Sequence, residues 1–144
     1  MAIFLNSPSM YVVHYFELMR DQAREPRPSL WTLYAGSQPV RVRRLDERSL
    51  ELQVDAGWFT NLLEQTRDLE RSPFVAGETI QLPTLSARVL AVNEDGAPTR
   101  VRFTLAEPFD RDRYTFYCWR GRVPAPCQLP ARGEVLQLPR LSPI

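Results

Sequence analysis

The segment ETIQLPTLSARVLAVNEDGAPTRVRFTL, residues 78–105, constrains the fold more than any other stretch of this chain. It reads as two strands joined across Asn93, Glu94, Asp95 and Gly96, residue types that favour tight turns. Val101, Phe103 and Leu105 alternate with Arg100, Arg102 and Thr104, the period of a strand with one dry face and one wet face. On the preceding strand Val89, Leu90 and Val92 put apolar side chains on both faces, which predicts a more central position. Residues 40–54 repeat the plan. Val40 and Val42 alternate with Arg41 and Arg43, Leu45-Asp46-Glu47-Arg48 connects, and Leu50, Leu52 and Val54 alternate with Glu51 and Gln53.

The remaining strands are shorter. LWTLY (30–34) and YTFYCW (114–119) have the aromatic density that suits a pleated, half-buried surface, and residues 134–138 form a last strand. GETIQLP (77–83) and GEVLQLP (133–139) echo each other as one turn-then-strand solution used twice. Thirteen prolines spread along the chain suit short strands and turns better than long helices. Trp58 and Phe59 read as core anchors, and residues 61–70 as a short helix or a charged surface loop. The front differs: Ser9, behind Pro8, can cap a helix whose Val12, Tyr15, Phe16 and Met19 share one stripe, ended by Pro26 and Pro28. The expected fold is mainly β, an antiparallel β-sandwich or small barrel of about seven strands with an N-terminal helix. Its expected division is a helical extension over 1–28 and an antiparallel β domain over 29–144.

At 144 residues the chain is long enough for a core that buries roughly 68–70% of its unfolded surface. All 18 basic residues are Arg, against 17 acids, for a net charge of +1, so composition gives no strong nucleic-acid signal. The absence of Lys excludes Lys nucleophiles, Schiff bases and phosphate-loop lysines. One His and two Cys, with no CxxC, HxxxH or HExxH, leave no structural zinc pattern. His14 is the lone imidazole, and a His14–Cys118 pair is the single nucleophile–base combination to weigh against a packing or surface histidine. The pairs Asp46/Glu47, Glu94/Asp95 and Asp110/Asp112 fall in turns, where Asp serves the backbone. Six isolated glycines contain no phosphate-binding loop. No cofactor is expected, and no enzymatic activity.

Two features invite a test. Cys118, in an aromatic strand, and Cys127, nine positions on in a proline-rich loop, could close a disulfide across a hairpin; free buried thiols are the alternative. Tyr114, Phe116, Tyr117, Trp119, Arg120 and Arg122 have the composition of an interaction surface. Strand alternation sends Tyr114, Phe116 and Cys118 to one face and Tyr117 with Trp119 to the other. Tyr117, Trp119, Arg120 and Arg122 are therefore the candidate partner surface, with core packing as the competing role. The first charge is Glu17, no basic n-region precedes the apolar residues, and Asn6-Ser7-Pro8-Ser9 interrupts them, so a secretory signal is not expected. The apolar run is also shorter than the ~18–20 residues that span a bilayer. The chain is expected to be soluble as written, with its compartment open.

Residues 30–138 are similar to the soluble C-terminal β domain of uncharacterised bacterial multipass membrane proteins. The likeness is carried by SLWTLYAGSQPVRVRRLDERSLELQVDAGWF, FVAGETIQLPTLSARVLAVNEDGAPTRVRFTL, a Trp-containing strand and GEVLQLP. It implies a non-catalytic accessory or interaction domain, with a protein partner or membrane protein, associated with a membrane or envelope complex through segments absent from this sequence. An alternative is the PilZ-like cyclic-dinucleotide-binding barrel, which the chain resembles in RDQAR, where Arg20 and Arg24 match the RxxxR clamp. The second half of that signature, [D/N]xSxxG, is missing: Asp46-Glu47-Arg48-Ser49 lacks both the spacing and the glycine.

Overall fold

The structure, a computed structural model, describes residues 1–8, 30–58, 69–110 and 113–141. Among them are ten strands and no helix. They are β1 (Ala2–Phe4), β2 (Leu30–Thr32), β3 (Val40–Arg44), β4 (Ser49–Gln53), β5 (Thr79–Gln81), β6 (Leu85–Val92), β7 (Pro98–Leu105), β8 (Thr115–Arg120), β9 (Val123–Pro126) and β10 (Val135–Leu138). A six-stranded sheet has the order β10-β3-β4-β7-β6-β5, and a four-stranded sheet the order β2-β1-β8-β9.

The two hairpins expected from the alternating patterns form the middle of the larger sheet. In β3 and β4, Val42 pairs with Leu52; in β4 and β7, Leu50 pairs with Phe103 and Leu52 with Val101. A two-residue side-chain period then sends these residues to one face and Arg41, Arg43, Glu51, Gln53, Arg100 and Arg102 to the other. The apolar face meets the inner face of the four-stranded sheet. Ile3 and Leu5, Phe116 and Cys118 come from that side, and Val42, Leu52, Val101 and Phe103 from the other. Each such side chain contributes roughly 1.5–3 kcal/mol on burial. Trp58 closes one side of the core, its ring roughly perpendicular to that of Tyr34 at 5.4 Å, and its indole N–H donates to the carbonyl of Leu33 at 3.1 Å.

Both ends of the six-stranded sheet are built by the echoed heptapeptide. Gly77 (φ 94°) and Glu78 stand together opposite Val89: Gly77 N–H donates to the Val89 carbonyl at 2.7 Å, and Val89 N–H to the Glu78 carbonyl at 2.9 Å. Gly133 (φ 82°) and Glu134 do the same opposite Arg44, at 2.8 and 3.4 Å. In each case the Glu N–H also closes a tight turn onto the carbonyl three residues back, Val75 or Ala131. Two residues facing one is a β-bulge, and its first position wants the left-handed backbone that glycine adopts most readily. Pro83 and Pro139 then follow shortly after the strands. The repeated motif is thus an edge-strand device.

Several expectations need correcting. The fold is mainly β with two facing sheets, but it is not antiparallel throughout, and among the described residues the strands form no closed barrel. Strand β1 runs parallel to both β2 and β8, pairing Ile3 with Trp31 and with Phe116. Parallel neighbours cannot be joined by tight hairpins, so counting strands across short loops undercounts this sheet. Residues 1–5 do not belong to an extension: β1 is one of the two inner strands of its sheet, with Ile3, Phe4 and Leu5 fully buried. An uninterrupted apolar run is what burial on both faces of a strand requires. The expected helix from Ser9, with Val12, Tyr15, Phe16 and Met19, lies outside the described residues, as do Phe59 and nearly all of the 61–70 segment. Finally, β6 is not the more central member of its hairpin. It lies next to the three-residue edge strand β5, and its apolar two-sidedness comes from a register shift between Val89 and Ala91 that leaves Leu90 unopposed.

Candidate functional site: an arginine-rich sheet face

The residues singled out in sequence disperse in space. Cys118 and Cys127 are joined as a disulfide, with Cα atoms 5.7 Å apart. Cys118 faces the main core from β8, opposite Ala125, while Cys127 follows β9 and donates its N–H to the Phe116 carbonyl at 2.9 Å. As half of a disulfide Cys118 has no thiolate to offer, which removes the chemical basis for a His14–Cys118 pair; His14 itself lies outside the described residues. Arg20 and Arg24 also lie outside them. No group of three or more His, Cys, Asp or Glu that could hold a metal ion occurs among the described residues.

The aromatic pair Tyr117 and Trp119 is taken up by packing. On the outer face of the four-stranded sheet, Ala2, Phe4, Trp119 and Leu141 form a second buried cluster, and the Tyr117 ring stacks on Phe4 at 5.1 Å. Trp119 is buried, and its indole nitrogen has no hydrogen-bond partner among the described residues. Arg120 is exposed at the end of β8 and Arg122 in the turn that follows. The candidate partner surface therefore reduces to two arginines at a hairpin tip.

A site that sequence reading passed over emerges from the strand register. Across the outer face of the six-stranded sheet, one row runs Val135, Arg43, Glu51, Arg102, Arg88, Thr79, and the neighbouring row runs Gln137, Arg41, Gln53, Arg100. With strands about 4.8 Å apart, Arg43 and Arg102 stand roughly 10 Å apart across the sheet, while Arg41 and Arg43 on one strand are about 6.8 Å apart. Five arginines (41, 43, 88, 100 and 102) share this face with three carboxylates. Arg100 pairs with Glu51 at 2.9 Å, Arg41 with Asp55 at 2.7 Å, and Arg102 with Asp46 at 3.3 Å.

These pairs differ in kind. The Asp55 carboxylate is 76% exposed, so its tie to Arg41 is a surface ion pair of little energetic weight. The Glu51 side chain is only 15% exposed, enclosed by arginines on the neighbouring strands. Asp46 is held below the usual carboxylate range, chiefly because it accepts the Arg48 backbone N–H at 2.8 Å, with help from Ser49 and the charge of Arg102. Arg43 and Arg88 have no ion-pair partner among the described residues. Arg88 also lies directly opposite Arg102, a like-charge cross-strand pair.

A shallow groove of about 320 Å³ opens on this face, lined by Arg41, Arg43, Glu51, Gln53, Arg100 and Gln137 with Val135. Its guanidinium forks and amides are suited to binding oxyanions bidentately. Two other clefts lie near residue 114. One, of about 420 Å³, is lined by Phe109, Phe116, Cys127, Leu129 and the Arg44 guanidinium, which sits over the Phe109 ring; the other, of about 430 Å³, lies between Met1, Thr84, Glu107 and Tyr114. Neither gathers a set of convergent charges comparable to the arginine face. The sequence signal for that face is Arg-x-Arg on two strands; what joins them is the pairing order, which no local pattern encodes. No protein-family model, no curated protein and no solved structure matches this chain.

Proposed function

We propose that this chain is a non-catalytic interaction domain, accessory to a membrane protein or envelope complex, and that it engages its partner through the outer face of the six-stranded sheet. The observation that carries the reading is the concentration of five arginines in adjacent register rows, two of them without an ion-pair partner among the described residues. Arginine is the basic residue most at home in interfaces, because its planar fork meets carboxylates bidentately. The membrane or envelope setting rests on the resemblance of residues 30–138 given above. The Cys118–Cys127 disulfide supports placement in an oxidising compartment. Among the described residues no helix is long and apolar enough to cross a membrane.

The test is site-specific photo-crosslinking in cells that make the protein. A photoreactive residue in place of Gln53, at the centre of the face, should give a discrete adduct that disappears when Arg43 and Arg100 are changed to Glu. The same probe at Val123, which is exposed on β9 of the other sheet, should give none. Equal adducts at both positions, or none at either, would reject the face as the contact surface. The same preparation, alkylated without reductant, should show no free thiol; two free thiols would remove the support for an oxidising compartment.

A further inference from the structure

The geometry points to a specific occupant for this face: an extended acidic peptide segment of the partner, with carboxylates at alternate positions, laid along the strands. This rests on the interaction reading above and names the ligand class. Arg41 and Arg43 project from the same side of β3, and Arg100 and Arg102 from the same side of β7, with β4 between them. Each pair has the spacing of alternate residues on a strand, about 6.8 Å, which is also the spacing of side chains i and i+2 in an extended peptide. A segment of Glu or Asp at every second position therefore presents its acids in step with one arginine ladder.

The polar residues between the ladders fit the same occupant. Gln53 separates Arg41 from Arg100 in the neighbouring row, and Gln137 flanks Arg41 from the edge strand; Gln53 Nε2 donates to Asp55 Oδ1 at 3.1 Å, which leaves its Oε1 and the Gln137 amide for peptide backbone groups. Arg43, with no ion-pair partner among the described residues, can take a carboxylate, and Arg88, facing Arg102, gains most from an added negative charge. The two register rows carry no aromatic side chain. Stacking on aromatics is what single-stranded nucleic acid uses on sheet platforms, so their absence favours carboxylates on a peptide over phosphates on an oligonucleotide.

Fluorescence anisotropy of the full chain with labelled probes tests this. A ten-residue peptide alternating Ser and Glu should bind in low salt, and binding should weaken by about tenfold or more in the R43E/R88E double variant. A Ser-Glu peptide with its five acids contiguous should bind several-fold more weakly than the alternating one. Arg120→Glu with Arg122→Glu, at the distant hairpin tip, should leave affinity unchanged. Thermal melts of each variant establish that it is folded. The inference is overturned if the alternating peptide does not bind up to millimolar concentration, if R43E/R88E binds as well as the parent, or if a ten-nucleotide oligothymidine binds more tightly than the peptide. A Gln53 adduct in cells combined with no peptide binding would reject the acidic ligand while leaving the contact face standing.

Discussion

At the scale of single residues, the smaller sheet is tied together by a buried polar side chain as well as by apolar ones. Asn6 is fully buried just past β1, where its amide replaces a pair of backbone partners. Its Oδ1 accepts the Trp119 N–H at 2.8 Å, and its Nδ2 donates to the Trp119 carbonyl at 3.2 Å. The ladder from β1 to β8, whose last pair is Phe4 with Tyr117, is thereby carried two positions further by a side chain. Asn6→Ala leaves a buried N–H and a buried carbonyl unmet, at about 1–3 kcal/mol each. The expected loss is about 2–6 kcal/mol, a large share of the roughly 5–15 kcal/mol that domains have. Urea denaturation measures it, and a loss below about 1 kcal/mol would show that the amide is not what holds β8. In sequence Asn6 is legible only as a breaker before Ser7 and Pro8. Its role depends on Trp119, 113 positions away, and no local signal can supply that.

At the scale of elements, edges at β5, β10 and β9 are each blunted by a local device. The bulges at Gly77 and Gly133 keep β5 and β10 short, as described above. Strand β9 uses another means. Cys127 bonds to Phe116, and Cys118 lies opposite Ala125, so Pro124 and Pro126 occupy the alternate positions whose nitrogens point away from β8. The free edge of β9 therefore lacks N–H donors where a further strand would need them. Changing Pro124 and Pro126 together to Val restores two donors on a strand that already exposes Val123. The double variant should self-associate with rising concentration, as read by sedimentation velocity; a monomer indistinguishable from the parent would mean that the edge is protected by something else. The hairpins of the large sheet were readable because alternation and turn residues are local signals. The repeated G-E-x-x-Q-L-P phrase was readable too, though not that its two copies mark opposite edges. The parallel pairs of β1 were not, because its partners begin at residues 30 and 115 and nothing in Ala2–Phe4 names them.

At the scale of the whole molecule, a net charge of +1 conceals how the charges are arranged. Folding gathers five arginines onto one sheet face and sets Arg88 against Arg102, an arrangement that costs stability in the free protein. That cost is measurable. Arg88→Gln removes one member of the pair and touches no ion pair among the described residues, so at about 10 mM salt it should melt higher than the parent. A relief of about 0.2–1 kcal/mol corresponds to roughly 1–3 °C in a chain of this size. In about 1 M salt, where screening reaches across only ~3 Å, the gain should vanish. Arg100→Gln is the contrasting variant. It takes the guanidinium from the enclosed Glu51 and should melt lower at both salt concentrations. If Arg88→Gln melts with or below the parent at low salt, the face carries no unrelieved repulsion, and its arginines are an ordinary solvated surface. If it melts higher while the peptide affinity falls, Arg88 lowers the stability of the free domain and raises its affinity for an acidic partner, a trade expected of a binding surface and not of a scaffold.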